Sequence, residues 1–238
     1  MIKAILTGHT KGLGLGILQA LSQQNIPVMG ISRSHISQAP KSCAQVQLDL
    51  TNADALDSWL TTSELLHFIQ DASEVLLINN AGWVSPIGPL PTQSTQLIAQ
   101  SVQLNVAAPF VLSAYLAQHI HDQQALRILH VSSGAARNAY PGWSVYCATK
   151  AALDMHAQAV HMDAQAGIKI CSLAPGVIDT DMQAQIREVD PAHFPNKQRF
   201  IDLKNQGQLS SAHHTASALV EFLLSTHFGT SPVADLRD

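Results

Sequence analysis

Ile2-Lys3-Ala4-Ile5-Leu6-Thr7-Gly8-His9-Thr10-Lys11-Gly12-Leu13-Gly14 is the stretch that decides the fold. Ile2 to Thr7 is a short apolar run that stops at Gly8, the pattern of a buried strand. Leu13, Ile17, Leu18 and Leu21 then recur at helical spacing, so a helix follows the glycines. Glycines between a strand and a helix allow a tight turn and a close approach of backbone to a bound group. The helix N-terminus beyond them attracts an anion, because its first N–H groups are unpaired and its dipole is positive there. Strand, glycine loop and helix together have the form of a dinucleotide site with pyrophosphate on the helix end. The spacing is TGxxxGxG rather than GxGxxG, and its position between strand and helix is what gives it weight.

Outward from there the same two signals alternate. Further strands are predicted over Pro27–Ser32, Ala44–Leu48, Val75–Ile78, Leu126–Val131 and Ile168–Leu173, with a short last one at Val233. Helices are predicted from an Asn52 cap through Trp59 and Leu66, over Thr95–His121, over Ser144–Gln165 with Gly167 as its stop, and over 212–226. Strands rich in Val, Ile and Leu without strict alternation are buried on both faces. The fold expected is α/β: a single Rossmann-type doubly wound parallel sheet with helices on both faces, one dinucleotide-binding domain over residues 1–238. Thr180 to Gly207, with Pro191, Phe194, Pro195 and Phe200, reads as an irregular substrate-covering loop; a surface excursion without a role is the alternative.

Composition narrows the class. A chain of 238 residues with 46% hydrophobic and 13% charged residues is not disordered. A net charge of −4 lacks the basic excess of a nucleic-acid binder. Cys43, Cys147 and Cys171 show no CxxC spacing, so no disulfide framework is expected and the compartment reads as the reducing cytoplasm. The most apolar stretch, Val102 to Ala117, is interrupted by Gln103, Asn105, Pro109 and Ser113, and no membrane partner is expected. The first ten residues lack the apolar region of a signal peptide. The twelve histidines form no metal pattern: His119 and His121 diverge on a helix, and His213-His214 lack a nearby cysteine. His193 falls in the proposed covering loop. Cys147 reads as a small buried helix residue.

Cofactor choice is read at the end of the second strand. A domain that prefers NAD places an acid there, about 20 residues after the glycines, to hold the ribose 2′-OH. Here the place reads Gly30-Ile31-Ser32-Arg33-Ser34. Arg33 is a donor fork suited to a 2′-phosphate, and Lys11 adds a second positive charge. NADP(H) is therefore expected, with two solvated surface cations as the alternative.

Tyr146 and Lys150 stand i,i+4 on a predicted helix and share a face. Ser133 follows the fifth strand, and Asn105 lies in the long helix before it. These are the parts needed to protonate a carbonyl as it accepts hydride from a nicotinamide. A free tyrosine titrates near ~10, and a neighbouring ammonium is expected to lower that value. The Ser133 hydroxyl is placed to stabilise charge developing on the carbonyl oxygen.

With those residues in hand, the sequence resembles the short-chain dehydrogenase/reductase family over nearly its whole length. Thr7-Gly8, Gly12 and Gly14 match the family's cofactor loop, and Thr10 and Leu13 lie within it. Asn79-Asn80-Ala81-Gly82 matches its NNAG motif, Asp49-Leu50 its adenine-contacting position, and Asn105, Ser133, Tyr146 and Lys150 its catalytic tetrad. Pro175-Gly176-Val177-Ile178-Asp179-Thr180 matches the segment that holds the nicotinamide carboxamide. The resemblance implies that Tyr146 is the general acid, that Lys150 binds the nicotinamide ribose and lowers the Tyr146 pKa, that Ser133 polarises the carbonyl, and that Asn105 holds a water relaying protons to Lys150. Spacing to Tyr146 favours Ser133 over its neighbour Ser132. The family also implies a homodimer or homotetramer pairing the helices around 95–121 and 144–165.

Within the family, Val131 to Ala136, Tyr140 to Cys147 and Ala174 to Gln183 are similar to benzil and sepiapterin reductases, and Phe194 to Gly207 to bacterial benzil reductases. That implies an NADPH-dependent reductase of vicinal dicarbonyls or related small-molecule ketones. Trp83, Val84, Ala135, Tyr140, Trp143, Met182 and Phe194 are candidates for an apolar pocket wall, each with core packing as the alternative. Asp235 matches the terminal segment where sepiapterin reductases carry a pterin-anchoring Asp; it stands as either such an anchor or a solvated residue. The family's usual glycine-rich ending is missing. Three other readings stand beside diketone reduction: pterin side-chain reduction, a generic alcohol dehydrogenase or ketoreductase, and a non-catalytic NADPH-binding regulator. Such regulators typically lack the tyrosine or lysine, and this chain keeps all four catalytic types.

Overall fold

Ala4, Ile5 and Leu6, and likewise Val75, Leu76, Leu77 and Ile78, have no exposed surface, so both faces of their strands are covered. The computed structural model describes residues 1–121 and 123–238. Among these residues, β1 (Ile2–Thr7), β2 (Val28–Ser32), β3 (Cys43–Gln47), β4 (Glu74–Asn79), β5 (Ala125–Val131), β6 (Ile168–Ala174) and β7 (Val233–Asp235) form one sheet in the order β3-β2-β1-β4-β5-β6-β7. All its pairings are parallel. The helices are α1 (Gly12–Gln23), α2 (Ala53–Leu60), α3 (Glu64–Ile69), α4 (Thr95–Val102), α5 (Ala108–His119), α6 (Ser144–Met162), α7 (Asp181–Glu188), α8 (Lys197–Asn205) and α9 (Ala212–Leu224). The strand order reverses between β1 and β4, and ligands of open parallel sheets bind beyond the carboxyl ends of the strands at such a point.

One apolar layer joins Ile17, Leu18 and Leu21 of α1 to Leu219, Val220 and Leu223 of α9 beneath β1, β4 and β6. Gly16 sets that approach: a Cβ there would stand 2.9 Å from the Ala212 carbonyl oxygen and from the Ala216 Cβ. The opposite layer packs Leu56, Leu60, Leu65 and Ile69 with Leu112 and Leu116 against Ile5, Val75 and Leu77. A third, smaller cluster of Val84, Trp143, Tyr146, Ile186, Phe194 and Phe200 lies above the carboxyl ends of the strands.

Several local expectations are corrected. The helix read from Asn52 through Leu66 is two. Asn52 caps α2 by accepting from the Ala55 N–H at 3.1 Å. The Thr61 and Thr62 hydroxyls then donate to the carbonyls of Ser58 and Trp59, both at 2.7 Å, and end the helix. The long helix at Thr95 runs to His119 but contains a π turn over Gln103–Ala107, in which the Ala108 N–H reaches the Gln103 carbonyl. Pro109 has no N–H to offer the carbonyl four residues back, that of Asn105. This rod of 25 residues is long and apolar enough, by length and composition, to cross a bilayer, which the sequence reading had not found. Here its Ala108, Leu112 and Leu116 are core residues. Helix α6 stops at Met162; Ala164, at φ 50°, takes the left-handed turn, and Gly167, at φ 80°, leads into β6 instead of stopping the helix. The segment 180–207 is not irregular: Met182, Ile186 and Val189 recur at helical spacing, and the chain forms α7 and α8 around the two prolines.

Candidate active site

The glycine loop is held open by the strand beside it. The Thr7 hydroxyl oxygen accepts from the N–H groups of Asn80 and Ala81 at 3.0 and 2.9 Å. The Asn80 amide donates to the carbonyls of Thr7 and Gly8 at 2.9 and 3.1 Å. Gly14 has no room for a side chain, since its Cβ would fall 2.0 Å from the Gly8 carbonyl oxygen. Beside this loop lies a cleft of about 780 Å³, within the range of ligand pockets. Every residue assigned to the cofactor from sequence, from Gly8 through Arg33, Asp49 and Asn80 to Thr180, lines it. A side-chain-free cradle at a helix N-terminus fits a dinucleotide pyrophosphate.

Arg33 is exposed at the cleft, its guanidinium carbon 6.0 Å from the Trp83 ring. Lys11 does not stand free: its ammonium pairs with Asp181 at the start of α7, at 3.0 Å, and both side chains are largely exposed. Asp49 accepts from the N–H and hydroxyl of Thr51.

Tyr146 and Lys150 sit together on the first turns of α6, both buried. The Ser133 hydroxyl, in the turn after β5, lines the cleft beside Tyr146 and accepts from the Ala135 N–H at 3.2 Å. The Lys150 ammonium donates to the Val131 carbonyl at 2.8 Å. Asn105 lies behind the cleft in the π turn. Its amide spans Trp83, accepting from the N–H at 3.1 Å and donating to the carbonyl at 2.9 Å, and it also donates to the Thr149 hydroxyl at 3.2 Å. π turns recur at functional sites, and this one carries Asn105.

Burial pushes the Tyr146 phenol up to about 12; the Ser133 hydrogen bond opposes that, and Cys147 adds to it. Burial also brings Lys150 down to about 8, against the pull of Asp154. The expected lowering of Tyr146 by the Lys150 ammonium is therefore corrected: desolvation dominates both groups, and the ammonium lies 5.7 Å from the phenol ring centre.

The pocket wall is aromatic. Trp143 meets Tyr146 edge-on, with ring centres 5.4 Å apart, and Tyr140 at 5.3 Å. Trp83, Ala135, Tyr140, Trp143 and Met182 all line the cleft, as the sequence implied. Val84 and Phe194, both wholly buried, do not. Phe194 stacks on the far side of Trp143 at 4.6 Å, so it supports the wall without forming it. Asp235 is corrected too. It is absent from the lining, and its carboxylate is taken by Arg237 through two hydrogen bonds, at 2.7 and 2.6 Å, with Arg137 at 3.9 Å. Arg237 lines the cleft in its place.

Other residues escaped the sequence reading. Asp154, one turn beyond Lys150, accepts from the hydroxyls of Ser132 and Ser172 at 2.7 Å each and from Arg137 at 3.1 Å. Its i,i+4 place after Lys150 was the available signal. His9, inside the glycine loop, is fully buried and its Nε2 bonds the Gln45 side-chain oxygen at 3.0 Å. Gln45 in turn clamps the N–H and carbonyl of Ile36 at 2.8 and 3.0 Å, tying the glycine loop to the loop that follows Arg33. Nothing local announces that link, because its partners lie 36 positions apart.

Comparison with known proteins gives the family. The family model described as short chain dehydrogenase matches residues 3–191. The chain belongs to that family. Benzil reductase ((S)-benzoin forming) of Bacillus cereus is 35% identical, with 94% of each chain covered. The protein of the same description from Bacillus subtilis is 36% identical, with 92% of each covered. A crystal structure of a short-chain dehydrogenase/reductase from Burkholderia vietnamiensis is 45% identical, with 100% of this chain and 97% of that one covered and a TM-score of 0.72. The chain is thus an oxidoreductase-family member with a Rossmann-like parallel sheet, and its family uses a nicotinamide cofactor.

Proposed function

We propose that this protein is an NADPH-dependent carbonyl reductase whose substrate is a vicinal diketone of the benzil type. The observation that carries the reading is the similarity to benzil reductases along 94% of the chain, coinciding with Tyr146, Lys150 and Ser133 on one buried wall. When bound, the cofactor supplies the hydride. The chain supplies the rest. Tyr146, held protonated by burial at neutral pH, donates its phenolic proton to the carbonyl oxygen. Ser133, beside Tyr146 on the cleft wall, steadies the developing oxyanion. Lys150, anchored on the Val131 carbonyl, would hold the nicotinamide ribose, and Asn105 would hold the water that returns a proton to Lys150. Trp143 and Tyr140 flank an aryl group, and α7 and α8 cover it.

Arg33, with Ser32 beside it in place of an acid, receives the 2′-phosphate. The pterin reading loses its main support, because Asp235 is bound to two arginines. Residues 1–238 act as one unit and pair as a homodimer or homotetramer through α4, α5 and α6, where Val102, Val111, Met155 and Met162 expose apolar surface. The three free thiols accord with the cytoplasm. The test is NADPH oxidation with benzil, sepiapterin, an aliphatic ketone and no substrate. Benzil turnover well above the others is expected. Tight NADPH binding with no turnover of any of them would favour the regulator instead.

A further inference from the structure

At its substrate end the cleft offers charge of one sign. Arg199 of α8 lines it and is exposed. Its guanidinium bonds the Tyr140 hydroxyl at 3.3 Å and lies 5.9 Å from the Tyr140 ring centre and 6.0 Å from that of Phe200. Among the described residues no carboxylate lies within 4.0 Å of it. Arg237 also lines the cleft. It packs over Gly176, where a Cβ would stand 3.3 Å from its Cδ, and is aligned there by Asp235. The two carboxylates that do line the cleft are engaged elsewhere: Asp49 on Thr51 beyond β3, and Asp181 on Lys11 of the glycine loop. Of the cations at this end, Arg199 is the one whose fork is not consumed by an acid.

An aromatic wall joins this cation to the chemistry. Tyr146 touches Trp143, Trp143 touches Tyr140, and Tyr140 touches Arg199. A ligand whose carbonyl meets the Tyr146 phenol and whose ring lies along Trp143 ends beside Arg199. A guanidinium backed by aromatic faces binds a planar anion well, because its fork matches two oxygens and it is weakly hydrated.

We propose that the substrate is an aryl ketone or diketone that carries an anionic group, a carboxylate or a sulfonate, at the end of the molecule remote from the reacting carbonyl, and that Arg199 recognises it. This deepens the carbonyl-reductase reading and rests on it. The test compares benzil, benzil-4-carboxylate and the methyl ester of that acid, by kcat/KM from NADPH oxidation. Acid and ester have similar shape and differ in charge. The acid is expected to exceed the ester by about ten-fold, mostly through KM. That advantage is expected to shrink as salt rises from ~50 to ~500 mM. In Arg199→Gln the acid-to-ester ratio falls toward one, and Arg199→Lys restores part of it, whatever either change does to overall turnover. Benzil turnover with acid and ester equal in the parent protein overturns this inference and leaves the reductase reading standing. No turnover of any of the three removes both.

Discussion

Replacing Lys150 with methionine tests the electrostatics of the site through stability alone. Burial lowers Lys150 from 10.5 to about 8, so at neutral pH the folded chain keeps a proton that its surroundings disfavour. The unfolded chain titrates near the ordinary value. That drop, at about 1.36 kcal/mol per pH unit, destabilises the fold by ~3 kcal/mol at pH 7. At pH 10 the folded lysine is already neutral while most unfolded chains remain protonated, and ~1 kcal/mol of the cost is left. The unfolded state therefore binds more protons between these limits, and the parent protein gains stability from this group as pH rises. Methionine has similar volume and no charge. It leaves the Val131 carbonyl without its 2.8 Å donor, a loss of ~1–3 kcal/mol that does not depend on pH. The advantage of the variant over the parent should accordingly fall by about 2 kcal/mol from pH 7 to pH 10. Urea unfolding of both proteins without cofactor, followed by tryptophan fluorescence, measures it, provided the slopes agree. A variant that follows the parent within ~0.5 kcal/mol at both pH values, or gains on it at high pH, would refute the claim that desolvation governs this lysine.

Three further outcomes are expected. Tyr146→Phe keeps NADPH binding, read by fluorescence titration, and loses at least ~10²-fold in kcat, because the proton donor is gone and the ring remains. Arg33→Asp moves the ratio of kcat/KM for NADPH over NADH toward NADH by more than about ten-fold; an unchanged ratio counts against the 2′-phosphate reading. Gly14→Ala forces a Cβ to within 2.0 Å of the Gly8 carbonyl oxygen, and since that atom is backbone the loop must move. The expected loss is ~2–4 kcal/mol of stability, with cofactor binding weakened further, and a near-parental melting temperature would show that the loop is not tightly packed.

The parts of the site legible in the sequence are those whose chemistry is local. Thr7 to Gly14 combine a strand end, a helix start and glycines in one window, and Tyr146 with Lys150 share a face by helical spacing alone. The strand ends followed from short Val, Ile and Leu runs, because a parallel sheet covered on both sides needs apolar residues at every position. Boundaries that side-chain hydroxyls decide, as at Thr61 and Thr62, were not legible, and neither were α7 and α8, whose prolines at 191 and 195 sit between helices rather than inside them. Tyr146 itself shows the limit for energetics. Its neighbour in sequence suggested a lowered pKa, but burial, a property of the whole fold, outweighs one charge.

The residues misplaced by sequence share one physical cause: a protein partner takes the contact that their side chains could have offered a ligand. Asp235 has the chemistry of a ligand anchor, yet its two oxygens are bound by Arg237, two residues on, and approached by Arg137, which also holds Asp154 beneath the catalytic helix. A carboxylate forked by one arginine and approached by a second is turned away from the cleft, so the same cluster that removes Asp235 from the pocket leaves Arg237 lining it. Phe194 was likewise drawn one layer out, because Trp143 occupies the wall and needs a surface to stack on. In both cases the residue type was suited to contact with a ligand and the packing assigned that contact to the neighbour. The substrate end of this cleft is consequently cationic and aromatic, and that follows from which side of each pair faces the cavity, not from composition.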